Sequence, residues 1–137
     1  MKTLPIALTL LITLSAHTCK DSAGNSMTDL LDKKWVFQTV NGEKVSMPDG
    51  VDTPWIQLAG EQLTGFGGCN SMMGSYKLGD GAISFPGLGS TKKYCQDVQP
   101  TENAIKQALG QVDAYKMEGG VLKLMGGGKE MAALKAQ

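Results

Sequence analysis

The clearest pattern in the chain is the alternation of apolar and polar residues in short runs, beginning with "KWVFQTV" at residues 34–40. Successive residues of a strand face opposite sides, so Trp35, Phe37 and Thr39 are predicted on one face, and Val40 lies with the intervening residues on the other. The Asn-Gly pair that follows is a strong signal for a two-residue hairpin. The run therefore predicts the first strand of a hairpin.

Further runs of the same kind follow, separated by glycine-rich turns. The predicted strands read "WIQLA", "QLTGF", "GSYKL", "AISF", "AYKMEG", "VLKLM" and "MAALKA". One segment, "DVQPTENAIKQALGQV", instead has apolar residues near helical spacing, with Pro100 suited to the first turn of a helix and Gly110 to its end. The pattern predicts a β-rich α+β fold with one amphipathic helix of about three turns.

The N-terminal residues have a different pattern. A basic residue precedes the apolar run "LPIALTLLITL", and small or polar residues follow it, which is typical of a secretory signal peptide. The run is shorter than the roughly 20 apolar residues of a spanning helix. Cys19 follows at the spacing of a bacterial lipoprotein, although Ala16 and Thr18 replace the usual residues of the lipobox. We expect a signal peptide at 1–18, a lipid on Cys19 and a flexible polar tether at 19–28, with ordinary cleavage after Ala16 as the alternative.

The length and charge of the chain limit the kinds of partner to expect. The chain has 137 residues, typical of one domain with one core, and 13 basic residues balance 13 acidic ones. Every basic residue is Lys, whereas Arg is preferred for bidentate contacts to phosphate and guanine. Nucleic acid is therefore not an expected partner. We expect a monomer held at a membrane by its N-terminal lipid.

Candidate catalytic groups are few. The single histidine, His17, lies in the segment predicted to be removed or at a new N-terminus, so a Cys nucleophile or a common zinc site would lack its imidazole. The carboxylates Asp49 and Asp52 lie in a polar loop, and Asp29 and Asp32 lie at the start of the first strand region, with no pattern to place either pair across a cleft. "MGGGKE" lacks the spacing of a phosphate loop. We expect no catalytic residue, no metal site and no cofactor.

One set of motifs resembles a known family. "GGCNSMMGSY", followed by "TKKYC", "PTENAIKQAL" and "AYKMEGGVLKL", is similar to the META domain family of HslJ-like heat-shock lipoproteins. The resemblance assigns residues 29–137 to this domain. "TKKYC" departs from the family, which often has Met and Ala before the cysteine. The positions that match the family motif are Gly68, Cys69, Asn70, Gly74, Tyr76, Thr91, Cys95 and Glu102.

The resemblance implies a small antiparallel, partly closed barrel of about seven to eight strands with one helix. It implies a lipoprotein of the bacterial cell envelope, in the outer membrane or periplasm, linked to heat shock and novobiocin resistance and without enzymatic activity. An envelope protein is one partner to expect. The alternative function is a carrier that binds an apolar small molecule or lipid inside the barrel. A dry core filled by Trp35, Phe37, Leu58, Leu63 and Ile83 would exclude that ligand.

The cysteines bear on the same segment. Once the first is set aside for lipid, Cys69 and Cys95 remain as an even pair in a chain predicted to enter an oxidising compartment. We expect a disulfide between them, and two buried free thiols are the alternative. The neighbouring glycines are expected to permit positive φ or close strand approach. Asn70 is expected to cap its own turn, with an Asn-based binding site as the alternative.

Overall fold

A computed structural model describes residues 26–137. The predicted signal peptide, Cys19 and most of the predicted tether lie outside the described residues. The described part contains a 3-10 turn at Met27–Leu30, eleven strands and one α-helix. The elements are β1 (Lys34–Val40), β2 (Glu43–Lys44), β3 (Trp55–Ala59), β4 (Gln62–Phe66), β5 (Ser71–Ser75), β6 (Lys77–Leu78), β7 (Ile83–Ser84), β8 (Gly89–Ser90), α1 (Gln99–Gly110), β9 (Ala114–Glu118), β10 (Val121–Gly126) and β11 (Lys129–Ala136).

Nine strands form one antiparallel sheet, in the order β8-β5-β4-β3-β1-β11-β10-β9, with β2 paired to β1 beside this path. Strands β6 and β7 form a separate hairpin, which a bridge from Ala82 to Ala114 attaches to β9. Among the described strands, the end strands β8 and β9 do not pair with each other, so the sheet is not closed. The predicted β-rich, antiparallel architecture with one helix is confirmed. The strand count is higher than predicted because four strands have only two residues.

Strand β1 departs from strict alternation. Its register with β11 shifts between Phe37 and Thr39, which leaves Gln38 as the extra residue of a β-bulge. Trp35 and Phe37 are buried as predicted, but Val40 is buried in place of Thr39. The predicted face of Val40 is wrong because one extra residue reverses the two-residue period beyond it.

The predicted hairpin after β1 is confirmed. Asn41 has φ 50° and Gly42 has φ 81°, so both central residues of the turn are left-handed, as a type I′ turn requires. Val40 pairs with Glu43 directly across this turn. In contrast, the predicted strand "GSYKL" is wrong: β5 ends at Ser75, and the next two paired residues belong to the separate hairpin.

The helix contacts β1 and β11 and contributes to one continuous core. Its residues Ile105, Ala108 and Leu109 are buried, at the spacing that gives a helix one apolar face. The buried indole of Trp35 donates a hydrogen bond to the carbonyl oxygen of Leu30 at 3.0 Å. No helix in the range 26–137 combines the length and apolarity needed to cross a membrane. The five predicted core residues are each at most 1% exposed: Trp35, Phe37, Leu58, Leu63 and Ile83.

Candidate functional site

Five of the motif residues lie together where the β4–β5 turn meets the start of the helix. We call them the Asn70–Glu102 cluster; they are Cys69, Asn70, Thr91, Cys95 and Glu102. The turn between β4 and β5 supplies the first two, and the segment after β8 supplies the next two. Glu102 lies in the first turn of α1, on the face that carries the buried apolar residues. The amphipathic helix therefore places a carboxylate inside the protein.

Both carboxylate oxygens of Glu102 accept hydrogen bonds, and the residue is fully buried. Oε2 accepts from the backbone N–H groups of Cys69 at 3.0 Å and Asn70 at 2.6 Å. Oε1 accepts from Nδ2 of Asn70 at 2.6 Å and from Nζ of Lys106 at 3.3 Å. Burial, the largest influence, would raise the pKa of Glu102, but these four donors together outweigh it and hold the pKa below its ordinary value. Glu102 is therefore a buried, charged carboxylate.

The side chain of Asn70 uses all of its hydrogen-bonding capacity. Oδ1 accepts from Oγ1 of Thr91 at 2.9 Å and from the backbone N–H of Lys93 at 2.7 Å. Nδ2 donates to the carbonyl of Lys93 at 3.0 Å as well as to Glu102. An amide has two donors and two acceptor lone pairs, so no capacity remains for a ligand.

The predicted role of Asn70 as a cap of its own turn is wrong. Its partners lie 21 to 32 positions away in sequence. The turn is closed instead by backbone atoms, because the N–H of Gly67 donates to the carbonyl of Asn70 at 2.9 Å. The side chain is thus free to point inward, where Glu102 and Lys93 surround it.

The expected disulfide is present. Cys69 and Cys95 are joined with an S–S distance of 1.97 Å and a Cα–Cα distance of 5.9 Å. The carbonyl of Cys95 accepts from the N–H groups of Val98 and Gln99, at 3.1 and 2.9 Å, where the helix begins. The bond therefore links the β4–β5 turn to the segment that leads into α1.

Two glycines allow the turn to approach the carboxylate. A Cβ atom on Gly67 would lie 2.7 Å from Cγ of Glu102, closer than real Cβ contacts come. Gly68 has φ 113°, in a region that L-residues rarely adopt, and a Cβ there would lie 2.6 Å from Cε of Met47. The expectation of close approach and positive φ is confirmed at these neighbouring positions.

The motif residues Gly74 and Tyr76 lie outside the cluster. A Cβ on Gly74 would lie 3.2 Å from Cα of Leu88, so this glycine lets the chain after β7 pass close to β5. The hydroxyl of Tyr76 donates to the carbonyl of Gly60 in the β3–β4 turn. Burial raises the pKa of Tyr76, and two nearby acidic residues add to the rise. Both residues fix the sheet rather than the cluster.

Sequence reasoning missed Lys93 and Lys106. Lys106 lies four residues after Glu102, a helical spacing that favours ion pairs and that the sequence alone displays. Lys93 joins the cluster through its backbone, so its side-chain type gives no signal of that role.

This arrangement holds structure together rather than offering a reactive group. A general acid or base must lie within hydrogen-bond reach of a substrate, whereas the oxygens of Glu102 are buried and already bonded. The two carboxylate pairs considered from the sequence are exposed. In the part of the chain that the structure describes, no group of three or more His, Cys, Asp or Glu residues is placed to hold a metal ion.

Comparison with known proteins supplies the family. An NMR structure of a protein from Burkholderia xenovorans has a TM-score of 0.66 and 23% sequence identity, covering 100% of this chain and 99% of that one. A second NMR structure has a TM-score of 0.63 and 23% identity, covering 79% of this chain and 92% of that one. At these identities the likeness shows the fold alone. No protein with a curated description matches. The META domain family matches residues 28–137, and the chain therefore belongs to the META domain family.

Proposed function

We propose that this protein is a non-catalytic module of the bacterial cell envelope, exported by residues 1–18 and anchored through a lipid on Cys19. The non-catalytic part of this proposal rests on one observation, which is that the side chains of Asn70 and Glu102 have all their hydrogen-bonding groups occupied by the protein. This carboxylate and this amide are the polar side chains that the fold buries most completely, and both are fully hydrogen-bonded by the protein itself. A cluster of this kind favours rigidity over chemistry.

The disulfide supports the export part of the proposal. Disulfides persist in oxidising compartments and are rare in the reducing cytosol. The bond between Cys69 and Cys95 also leaves Cys19 as the odd cysteine, available for lipid attachment. The link of the family to heat shock and novobiocin makes tolerance of these stresses the physiological role to test.

A carrier of an apolar ligand is the second candidate. It requires space between the sheet and the helix, where Trp35, Phe37, Leu58 and Leu63 are buried in one cluster with the helix residue Ile105. Packing of this kind favours a filled interior. Native mass spectrometry of protein purified from its own host tests the carrier directly, because a co-purified apolar molecule would support it.

The anchor is tested by fractionating cells. Cys19→Ser should move the protein from the membrane fraction to the soluble fraction, and Ser22→Ala, which changes a nearby residue but keeps the thiol, should leave it on the membrane. Mass spectrometry of the wild-type N-terminal peptide should show a diacylglyceryl group on Cys19. A soluble wild-type protein cleaved after Ala16 would refute anchoring.

The absence of thiol chemistry is tested separately. Thiol-reactive activity probes should leave the oxidised protein unlabelled at Cys69, because its sulfur is bonded to Cys95. Selective stoichiometric labelling of Cys69 in the native protein would contradict the non-catalytic proposal.

A further inference from the structure

The segment Thr91–Cys95, which we call the basic loop, is exposed yet held at several points. Oγ1 of Thr91 and both backbone polar groups of Lys93 bond to Asn70, and Cys95 is fixed by the disulfide. Tyr94 between them is 77% exposed. Rigid presentation of an exposed loop lowers the entropy lost when a ligand binds, so this loop is preorganised for recognition.

A recess of about 380 Å³ lies beside the basic loop. Three lysines line it, and none of the described residues that line it carries a carboxylate. Its walls also offer three hydroxyl groups and two side-chain amides, of which the hydroxyl of Thr91 and the amide of Asn70 already bond within the Asn70–Glu102 cluster. The lining groups that matter here are Lys92, Lys93, Lys106, Ser90, Tyr94 and Gln99.

The charge in this recess is largely uncompensated. Within residues 26–137, Lys92 and Lys93 form no ion pair, whereas Lys123 on the sheet contacts both Glu118 and Glu130, at 2.7 and 3.5 Å. The third lysine of the recess, Lys106, contacts Glu102, but that carboxylate is fully buried and shared with three other donors. The recess therefore carries a net positive charge from Lys92 and Lys93, with no carboxylate in its described lining to offset it.

Gln99 gives an independent sign of a missing partner. Its Oε1 is buried and has no hydrogen-bond partner among the described residues, while Nε2 donates to Oδ1 of Asn103 at 3.0 Å. Buried polar atoms are almost always bonded, so an unbonded one needs an explanation. If the side-chain amides of Gln99 and Asn103 are both rotated by 180°, the hydrogen bond between them is kept with donor and acceptor exchanged. The atom of Gln99 at the unpartnered position is then Nε2, which is a donor. Only the rotated state suits an oxyanion, because an N–H group donates to it whereas an amide oxygen repels it.

We propose that this recess binds an oxyanion of the phosphate type, either free or as the phosphate of a lipid headgroup. Lys92 and Lys93 supply the charge, Lys106 adds a third ammonium group, and the hydroxyl of Ser90 donates a hydrogen bond. The Asn70–Glu102 cluster holds the basic loop in place. This site goes beyond the proposed envelope role and does not depend on the lipid at Cys19.

The first experiment titrates the full protein, purified as its host makes it in non-ionic detergent, with inorganic phosphate at low salt. Amide NMR signals of the basic loop and of Gln99 should shift and saturate, and the affinity should fall as ionic strength rises. The double variant Lys92→Ala/Lys93→Ala should bind at least about tenfold more weakly, since each lysine near an anionic surface contributes about fivefold. The control Lys129→Ala/Lys135→Ala removes equal charge from exposed positions of β11 and should bind as wild type does.

Gln99→Glu provides a second variant that keeps all three lysines. A carboxylate in the first turn of a helix favours folding, whereas burial and the charge of Glu102 three residues on oppose it, so the amide NMR spectrum is first used to check that the variant is folded. The folded variant places negative charge in the recess and should abolish phosphate binding. Equal binding by both double variants, or no saturable shift in the wild type, would overturn the proposal.

The second experiment distinguishes the two sources of phosphate. The same proteins are sedimented with vesicles of phosphatidylcholine alone and with vesicles that also contain phosphatidylglycerol. Any lipid anchor acts on both kinds of vesicle, and choline neutralises the phosphate of phosphatidylcholine, so the difference between them reports attraction to a net-anionic headgroup. The two double variants show whether that attraction comes from the recess. A preference for the anionic vesicles that Lys92→Ala/Lys93→Ala removes assigns a lipid headgroup, whereas phosphate binding without that preference assigns a free anion.

Discussion

Two glycine-rich stretches of this chain have similar sequences, but they require glycine for different physical reasons. In "GFGG" at residues 65–68, a Cβ on Gly65 would lie 2.7 Å from the carbonyl oxygen of Trp55, and one on Gly67 would meet Glu102. At Gly127 and Gly128, in the β10–β11 turn, no described atom lies within 4 Å of an added Cβ, but both residues have positive φ. Gly65 and Gly67 in the first stretch need the absence of a side chain, although Gly68 also has positive φ, whereas the second stretch needs only left-handed backbone.

The difference follows from what lies behind each stretch. The first closes over a buried carboxylate, which the backbone N–H groups of the next two residues, Cys69 and Asn70, satisfy. The second turns in solvent, with Glu130 beside it exposed and paired only loosely to Lys123 at 3.5 Å. A glycine motif therefore indicates tight packing only where a buried partner approaches it, and substitutions can separate the two cases.

Removal of the carboxylate should have the largest effect. Glu102→Ala leaves the N–H groups of Cys69 and Asn70 and the amide of Asn70 without their acceptor in a buried site. We expect the free energy of unfolding to fall by about 3–5 kcal/mol, as when one partner of a buried pair is removed. Urea denaturation measures it.

The matched change in the second stretch is Glu130→Ala. Because Glu130 is exposed, we expect a loss below about 1 kcal/mol. Equal losses for Glu130→Ala and Glu102→Ala would mean that the buried cluster does not stabilise the fold.

Loss of the disulfide should rank next. The bond spans 26 positions, and closing a loop of that length stabilises a fold by about 3–4 kcal/mol in the entropic model. We expect Cys69→Ser/Cys95→Ser to lose that amount, and reduction of the wild type to approach the same stability. A reductant should leave the double variant unchanged. Unaltered stability of the reduced wild type would contradict the prediction.

Glycine substitutions test the comparison itself. Gly67→Asn should cost about 2–3 kcal/mol, because its Cβ would clash with Glu102 whatever the backbone conformation. Gly128→Asn should be nearly neutral, since Asn tolerates left-handed backbone and no described atom crowds that position. Thermal unfolding of the two variants measures the difference. Similar melting temperatures would show that one need governs both stretches.

The sequence predicted the fold further than it predicted the site. Alternation placed Trp35 and Phe37 correctly, but the face of Val40 was wrong because the bulge at Gln38 has no signal in a two-residue period. The count of strands fell short because two-residue strands depend on pairing partners rather than on their own composition.

At the site, the structure brings together five of the eight positions that the resemblance names, through contacts that the resemblance does not reveal. Local rules assign Asn70 to its own turn because they consider only near neighbours in sequence, whereas its partners Thr91, Lys93 and Glu102 approach through the tertiary fold. The disulfide was predictable because cysteine number and export are properties of the whole chain. The ion pair of Glu102 and Lys106 is predictable from their spacing of four residues on one helix.

The smallest expected effect is the loss of stability when the Glu102 carboxylate becomes protonated. The folded-state pKa of Glu102 is lowered from its ordinary value of 4.5, so the unfolded chain takes up the proton first as the pH falls. The resulting stabilisation is therefore complete above about pH 4.5 and is lost as the pH falls through the folded-state pKa. Glu102→Gln keeps the side-chain volume but cannot titrate, so the gap in unfolding free energy between it and the wild type should narrow with acid in this window. The exposed Glu118, whose pKa is lowered by its hydrogen bond to Lys123, provides the control. Glu118→Gln removes the part of the pH dependence of stability that comes from Glu118. High salt should weaken that part in the wild type because Glu118 is exposed, and it should leave the part that comes from Glu102, because buried pairs are screened less. A gap between wild type and Glu102→Gln that stays constant from pH 7 to pH 3 would mean that Glu102 is not held as a buried carboxylate.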